Sequence, residues 1–286
     1  MKNLKEFYYP SSLTEALYIL SENEDNSLIN VPVAGSTSIV FSKNPNIKGL
    51  IDINRIGLDY IKKDGTTIKI GSTMTARKIY QSPLIKSMAG GLLAKAAGSI
   101  GSTLIRNSCT IGGNIVDLRI WSDFPAPLLA LDAKIKVDSK KGTREISVEE
   151  FFSKRPSKIL SPSEMVTEII IPSLEGKGSF IKFARTRVDY TLVDIAAYLE
   201  TEDKKICLAR IAVSGITTLP ERLKSMEKFI EGKELTEDFL QEVSKKAREE
   251  INPIHTYKVG SEYRKHLVGV LVKRLLEECV EVRSET

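Results

Sequence analysis

Two short bends hold the residue types from which a phosphate cradle is built. Ala34-Gly35-Ser36-Thr37-Ser38 follows an apolar run that ends at Val33, and Thr110-Ile111-Gly112-Gly113-Asn114 follows Cys109. Glycine loses more backbone entropy on folding than any other residue. Gly35, Gly112 and Gly113 therefore need either a backbone path closed to side chains or the close approach of another group. Each bend also offers successive backbone N–H groups, and Thr37, Ser38 and Thr110 add hydroxyls. Uncharged donors converging in this way suit the oxygens of a diphosphate. A plain loop has the same composition, and spacing alone does not separate the two readings. Neither bend contains lysine, and no G-x-x-x-x-G-K-[ST] occurs, which excludes a P-loop. The absence of G-x-G-x-x-G after the first strand disfavours a Rossmann dinucleotide site.

Other reactive residues are sparse. Cys109, Cys207 and Cys279 form no C-x-x-C pair, so neither a disulfide framework nor a cluster held by this chain alone is expected. Such a cysteine count fits a reducing cytoplasm. Cys109 reads as a small buried hydrophobe. Both histidines, His255 and His266, fall in the C-terminal part, which disfavours a histidine metal site or a histidyl-linked cofactor; His266 reads as structural. The 42 basic and 37 acidic residues leave a net charge of +5, spread without a basic stripe, so nucleic acid is not an expected partner. The most apolar late run, LVGVLV at 267–272, falls far short of the ~20 residues a membrane span needs, and MKNLKEFYYP lacks a signal core.

The elements that must position the bends read as α+β. Ser12 and Glu15 form a capping box before Leu13, Ala16, Leu17 and Leu20. Strands are expected at 28–33, in GLIDINRI and in TIKIGSTM, with a turn at Asp64-Gly65, and one helix over PLIKSMAGGLLAKAAGSIG (83–101). A helix over PAPLLALDA, a hairpin turning at Gly142 and a strand ending at Pro172 follow. SLEGKGS (173–179) reads as a linker, dividing the chain into domains of 1–175 and 176–286. Beyond it, strands at 180–185, 191–200 and 207–214 precede two helices. One places Phe239, Leu240, Val243, Ala247 and Ile251 on one face; the other does so for Tyr263, Leu267, Val270, Leu271 and Leu275.

The stretch from Val33 to Ala133 resembles the flavin-binding subunit of the molybdenum hydroxylases, the family of carbon monoxide dehydrogenase, xanthine dehydrogenase and aldehyde oxidoreductases. Its patterns A-G-G-x-[ST/D], I-R-N-x-x-T-I-G-G-N and D-[LF]-P-x-x-L-L-A-L-D-A appear here as AGSTS, IRNSCTIGGN and DFPAPLLALDA. GSEYRKHLVGVLVKRLL, from residue 260, is similar to the family's C-terminal signature. The resemblance implies an α+β FAD-binding domain of the vanillyl-alcohol-oxidase type. A smaller α+β domain of antiparallel sheet and helices would follow it. It implies that Val33, Ala34, Gly35, Ser36, Thr37, Ser38 and Ile39, with Thr110, Ile111, Gly112, Gly113 and Asn114, wrap the FAD diphosphate, and that Asp117 belongs to the same site. On this reading the glycines let backbone approach phosphate oxygens. Asp123 matches a family aspartate that contacts FAD and equally suits the N-cap of the helix after it. Ile100, Val166, Lys182, Asp189 and Tyr190 align with neighbours of the flavin ring; Val166 also reads as core strand, Tyr190 as a sheet aromatic and Lys182 as a solvated charge.

Two departures stand out. Ser36 replaces the second glycine, so that bend is expected to form without positive φ. IVDLRIWS (115–122), with Arg119 and Trp121, replaces a run of small residues; it could cover the cofactor, contact a partner or block the site. The function implied is that of an electron-transfer oxidoreductase subunit in the cytoplasm. Substrate would be oxidised at a molybdenum cofactor on a large subunit, and electrons would pass through [2Fe-2S] clusters on a small subunit to FAD here, then to an external acceptor. The assembly implied is a dimer of heterotrimers. No residue of this chain need act as a catalytic acid or base. The departures leave open a flavin-free assembly subunit, and the fold leaves open a stand-alone FAD reductase.

Overall fold

A computed structural model of the chain describes residues 3–24, 27–254 and 259–280; His255 lies outside them. Two units result. Unit 1 comprises the residues up to Lys78, Ser102–Leu118 and Ala133–Pro172; unit 2 comprises Ile79–Gly101, Arg119–Asp132 and the residues from Ser173 onward. Segments 79–101 and 119–132, which a division at 175 assigns to the first domain, pack with unit 2.

In unit 1, β1 (Glu6–Tyr8), β2 (Ile29–Val33) and β3 (Ile47–Asp52) form a parallel sheet in the order β1-β3-β2. The helix Leu13–Ser21 starts as its sequence dictates, with the Ser12 hydroxyl accepting the Glu15 N–H at 3.2 Å. Glu15 reaches one residue further back than a standard box, to the N–H and hydroxyl of Ser11, and those bonds hold its carboxyl below the usual range. Ala16, Leu17 and Leu20 pack on Ile51, Ile53 and Leu58. Five antiparallel strands follow: β4 (Ile61–Asp64), β5 (Thr67–Gly71), β6 (Lys134–Ser139), β7 (Gly142–Ser147) and β8 (Met165–Pro172), in the order β4-β5-β8-β6-β7. Central β8 is buried from Met165 to Ile171, including its polar Thr167, whose hydroxyl donates to the Asp138 carboxylate, and Glu168, which accepts from the Tyr60 hydroxyl at 2.5 Å.

In unit 2, β9 (Lys177–Phe183), β10 (Val193–Glu202), β11 (Lys205–Ser214) and β12 (Glu221–Arg222) make an antiparallel sheet ordered β12-β11-β10-β9. β9 starts inside the expected linker. Side chains alternate across a sheet. Val193, Ile195, Ala197 and Leu199 join a core with the helices Lys224–Ile230, Glu237–Glu250 and Ser261–Val280. The alternate residues, Asp194, Ala196 and Tyr198, are buried too. Helices Leu92–Ser99 and Pro125–Ala130 also pack on this sheet.

Two expectations need correction here. The helix over 83–101 is broken, because Ala89, Gly90 and Gly91 all take positive φ; a side chain on Gly90 would lie 2.5 Å from the Gly178 carbonyl of β9. In the last helix the buried face takes in Val268, Val272 and Leu276, while Tyr263 is 49% exposed and His266 faces solvent. The buried stripe is wider than the expected one and rotated from it, since the helix packs against both the sheet and a neighbouring helix.

Candidate functional site

In unit 1 the two bends meet. Val33 ends β2, with its carbonyl accepting the Ile53 N–H at 3.0 Å, and the Asn54 amide donates to the Ala34 carbonyl at 3.2 Å. A Cβ on Gly35 would stand 1.7 Å from the Ser108 carbonyl oxygen, so this glycine is what lets the first bend lie against the segment leading into the second. The Ser38 hydroxyl donates to the Asp117 carboxylate at 2.6 Å, a second tie. Among the described residues, the N–H groups of Ala34, Gly35, Ser36 and Thr37 have no acceptor. All but Ser36 are half-buried, and such donors are normally paired. Ser36 has φ +53°, so the expectation that the bend avoids positive φ is wrong: the serine takes up the left-handed backbone a glycine would favour.

The second bend is not an open loop. Thr110 is the N-cap of a helix, Ile111–Asp117, with its hydroxyl accepting the Gly113 N–H at 3.2 Å. The Ile111 and Gly112 N–H groups donate to the Met74 and Ser72 carbonyls, both at 2.9 Å, and Asn114 closes the first turn on Thr110. The successive donors expected here are therefore spent within the chain. Gly112 leaves room for Ser72, 2.7 Å from where a Cβ would stand. Around Gly113 only the Thr110 hydroxyl oxygen lies near that position, so this glycine presents an open face. Cys109 is buried, as expected. The departing run IVDLRIWS ends the helix at Leu118, which takes φ +35°. Val166 lies in β8, paired with Val137 and buried.

Unit 2 holds Ile100, Asp123, Lys182, Asp189 and Tyr190. Lys182 on β9 bonds the Asp123 carboxylate at 2.7 Å and the Ser99 carbonyl at 3.3 Å, with the two side chains only 8% and 6% exposed. It is an ion-paired residue, not a solvated charge. Asp123 does not cap the next helix: Phe124 holds that position without a side-chain bond. Burial pushes the Asp123 carboxyl up, and the Lys182 ammonium opposes that shift. Asp194, cross-strand from Lys182, is fully buried and accepts from the Thr191 hydroxyl at 2.7 Å. Burial, then the Asp123 charge, drive its carboxyl well above the ordinary range. Two acids thus share one ammonium. Asp194 was missed by sequence reading, although an aspartate inside TLVDIAAYLE was a signal. Ile100 is buried just past the helix Leu92–Ser99. Asp189 staples its own loop, bonding Arg185 at 2.9 Å, and the Tyr190 ring packs against Trp121 at a tilt of 36°, with ring centres 4.5 Å apart.

No helix among the described residues is long and apolar enough to cross a membrane, and no cluster there is arranged to hold a metal ion.

The chain is α+β in two units, and unit 1 carries a glycine-containing bend whose backbone donors have no acceptor among the described residues, an arrangement suited to an anionic group. Residues 2–174 match the family described as the FAD binding domain in molybdopterin dehydrogenase, and residues 178–279 match the CO dehydrogenase flavoprotein C-terminal domain. The chain is 31% identical to the glyceraldehyde dehydrogenase medium chain of Sulfolobus acidocaldarius, covering 96% of this chain and 98% of that one. It is 27% identical to the carbon monoxide dehydrogenase medium chain of Hydrogenophaga pseudoflava, covering 95% of each. A solved structure of carbon monoxide dehydrogenase from the same organism superposes with a TM-score of 0.88 at 26% identity, over 96% of this chain and 97% of that one. The chain belongs to the FAD-binding medium subunits of the molybdenum hydroxylase family.

Proposed function

We propose that this chain binds FAD and serves as the electron-exit subunit of a cytoplasmic molybdenum hydroxylase. The observation that carries the reading is the run of N–H groups at Ala34, Gly35, Ser36 and Thr37 without acceptors among the described residues, all but Ser36 in half-buried positions, beside the open face of Gly113. These features fit a diphosphate, because its oxygens supply the missing acceptors and hydrogen bonds to a charged oxygen are about twice as strong as neutral ones. In this assignment Val33 and Ile39 frame the bend. Ser38 is held by Asp117, and Thr110, Ile111, Gly112 and Asn114 act by fixing the opposing helix rather than by lending their N–H groups. In unit 2, Ile100, Lys182, Asp189 and Tyr190 are assigned to the ring, with Asp123 compensating the Lys182 charge. Bound FAD supplies a carrier that accepts electrons singly and releases them in pairs; the chain positions it and controls access.

The names of the similar chains, medium chains of glyceraldehyde and carbon monoxide dehydrogenases, support a heteromeric setting. In it a large subunit would carry the molybdenum cofactor and a small subunit the [2Fe-2S] clusters, in a dimer of heterotrimers that delivers electrons to an external acceptor. Purification of the chain tests the first requirement. A yellow protein releasing about one FAD per chain on denaturation is expected; colourless protein that also fails to take up added FAD refutes the proposal.

A further inference from the structure

Asp194, in unit 2, has no role in the flavin assignment. It stands mid-row across three strands, with Lys182 of β9 on one side and Ser214 of β11 on the other. Opposite charges placed directly across neighbouring strands, with Cβ atoms about 5 Å apart, ordinarily pair. Here they do not. The Lys182 ammonium passes its cross-strand neighbour and bonds Asp123 at 2.7 Å and the Ser99 carbonyl at 3.3 Å. Among the described residues no ion pair joins it to Asp194.

The Asp194 carboxyl meets hydroxyls instead. Thr191 lies 2.7 Å from Oδ1 and Ser214 lies 3.5 Å from Oδ2. A hydroxyl accepts as well as donates, so the hydrogen of a neutral acid has a place on Oδ2, toward Ser214, while Oδ1 keeps the Thr191 bond. A fully buried carboxylate without a bonded cation is costly, and such groups take up a proton instead. The charged groups facing Asp194 leave that cost in place. Asp123, from the segment before the helix Pro125–Ala130, opposes a second negative charge; Lys182, from β9, favours one but is already bonded to Asp123. The helix Pro125–Ala130, packed on β10, carries no charged residue. Leu92–Ser99 carries Lys95, which bonds Ser179 at 2.8 Å and pairs with Glu278.

We propose that Asp194 is a positioning residue: kept as a neutral acid at neutral pH, it leaves Asp123 as the sole anionic partner of Lys182 and so fixes where the ammonium points. Ionisation in alkaline solution sets two carboxylates in competition for one ammonium and draws Lys182 off Asp123, toward its cross-strand neighbour. The protonation state stands on unit 2 alone; its effect on FAD rests on the assignment of Lys182 to the flavin ring.

The test compares the full chain with Asp194→Asn, which keeps the shape and neutrality of the acid. The infrared difference spectrum of the two at pH 7 should show the carbonyl band of a protonated carboxyl in wild type. FAD affinity, read by fluorescence titration, should weaken about tenfold in wild type between pH 6 and pH 9 and stay within about twofold in the variant. Absence of the band at pH 7, or the same pH profile in both proteins, overturns the proposal. Protein that shows the band yet takes up no FAD refutes the flavin reading, and urea titrations followed by Trp121 fluorescence then decide. An acid protonated only when folded loses stability as pH rises, so the loss between pH 5 and pH 8 must be smaller in Asp194→Asn. An equal loss overturns the proposal.

Discussion

Replacing Lys182 by methionine removes the ammonium bonded to Asp123 and leaves two buried carboxyls behind. Removing one partner of a buried pair costs about 3–5 kcal/mol when the other must stay charged. Here the remaining acids can escape that cost by holding a proton, which makes the penalty depend on pH. Both Asp123 and Asp194 already have folded pKa values above their unfolded ones, owing first to burial. An acid shifted in that direction binds more protons folded than unfolded, so stability falls as pH rises through the interval between the two values. Without Lys182 the folded values rise further and the interval extends upward. Each added pH unit inside it costs about 1.4 kcal/mol per proton retained. The variant should therefore be weaker than wild type by about 3 kcal/mol at pH 8 and by about 1 kcal/mol or less at pH 5.

Trp121, the only tryptophan, belongs to unit 2, so its fluorescence in urea titrations reports the unfolding of the unit that contains the pair. Adding Asp123→Asn to Lys182→Met should recover much of the loss at pH 8, because one of the stranded acids is gone. An equal deficit at pH 5 and pH 8, or a larger one at pH 5, would refute this account of the triad.

Three further outcomes follow from the bends. Gly35→Ala places a methyl 1.7 Å from a backbone carbonyl that cannot rotate away, so unit 1 should lose about 3 kcal/mol in a urea melt followed by circular dichroism, and FAD with it. Gly113→Ala sets a methyl 2.9 Å from the Thr110 hydroxyl that caps the helix, which offsets the gain of about 1 kcal/mol from the better helix former, so thermal stability should change by no more than about 1 kcal/mol, yet FAD should weaken at least about tenfold as the open face fills; unchanged affinity would show that no ligand uses that face. Ser36→Gly relieves about 1–2 kcal/mol of left-handed strain and returns about half of it as unfolded-chain entropy, so a modest rise in melting temperature is expected, and a fall would contradict the strain reading.

Periodicity found the parts of the fold where local preference and tertiary packing agree. β8 reads as a buried strand and is one, and Leu240, Val243 and Ala247 face the core as their spacing requires. Disagreement hid the rest. Ile111–Asp117 looks like a loop because two glycines occupy its first turn, and the helix forms because Thr110 caps it and two N–H groups are anchored on Ser72 and Met74. The break at Ala89 was invisible because alanine favours helix, whereas β9 demands the space. That the bends approach each other was legible only through family resemblance, since Gly35 and Ser108 are distant in sequence and nothing local predicts their contact. Asp194 was readable as a charge in an apolar strand, but only Thr191 is local to it, while Ser214 and Lys182 lie on other strands.

The unpaired N–H groups of residues 34–37 are the feature on which the functional account rests most directly. Hydrogen exchange of the peptide spanning them, measured by mass spectrometry with FAD bound and after its removal, reads those donors themselves. Exchange slowed about tenfold or more in the bound state is expected, as free amides acquire acceptors. Equal exchange in both states, with one FAD bound per chain, would contradict the cradle.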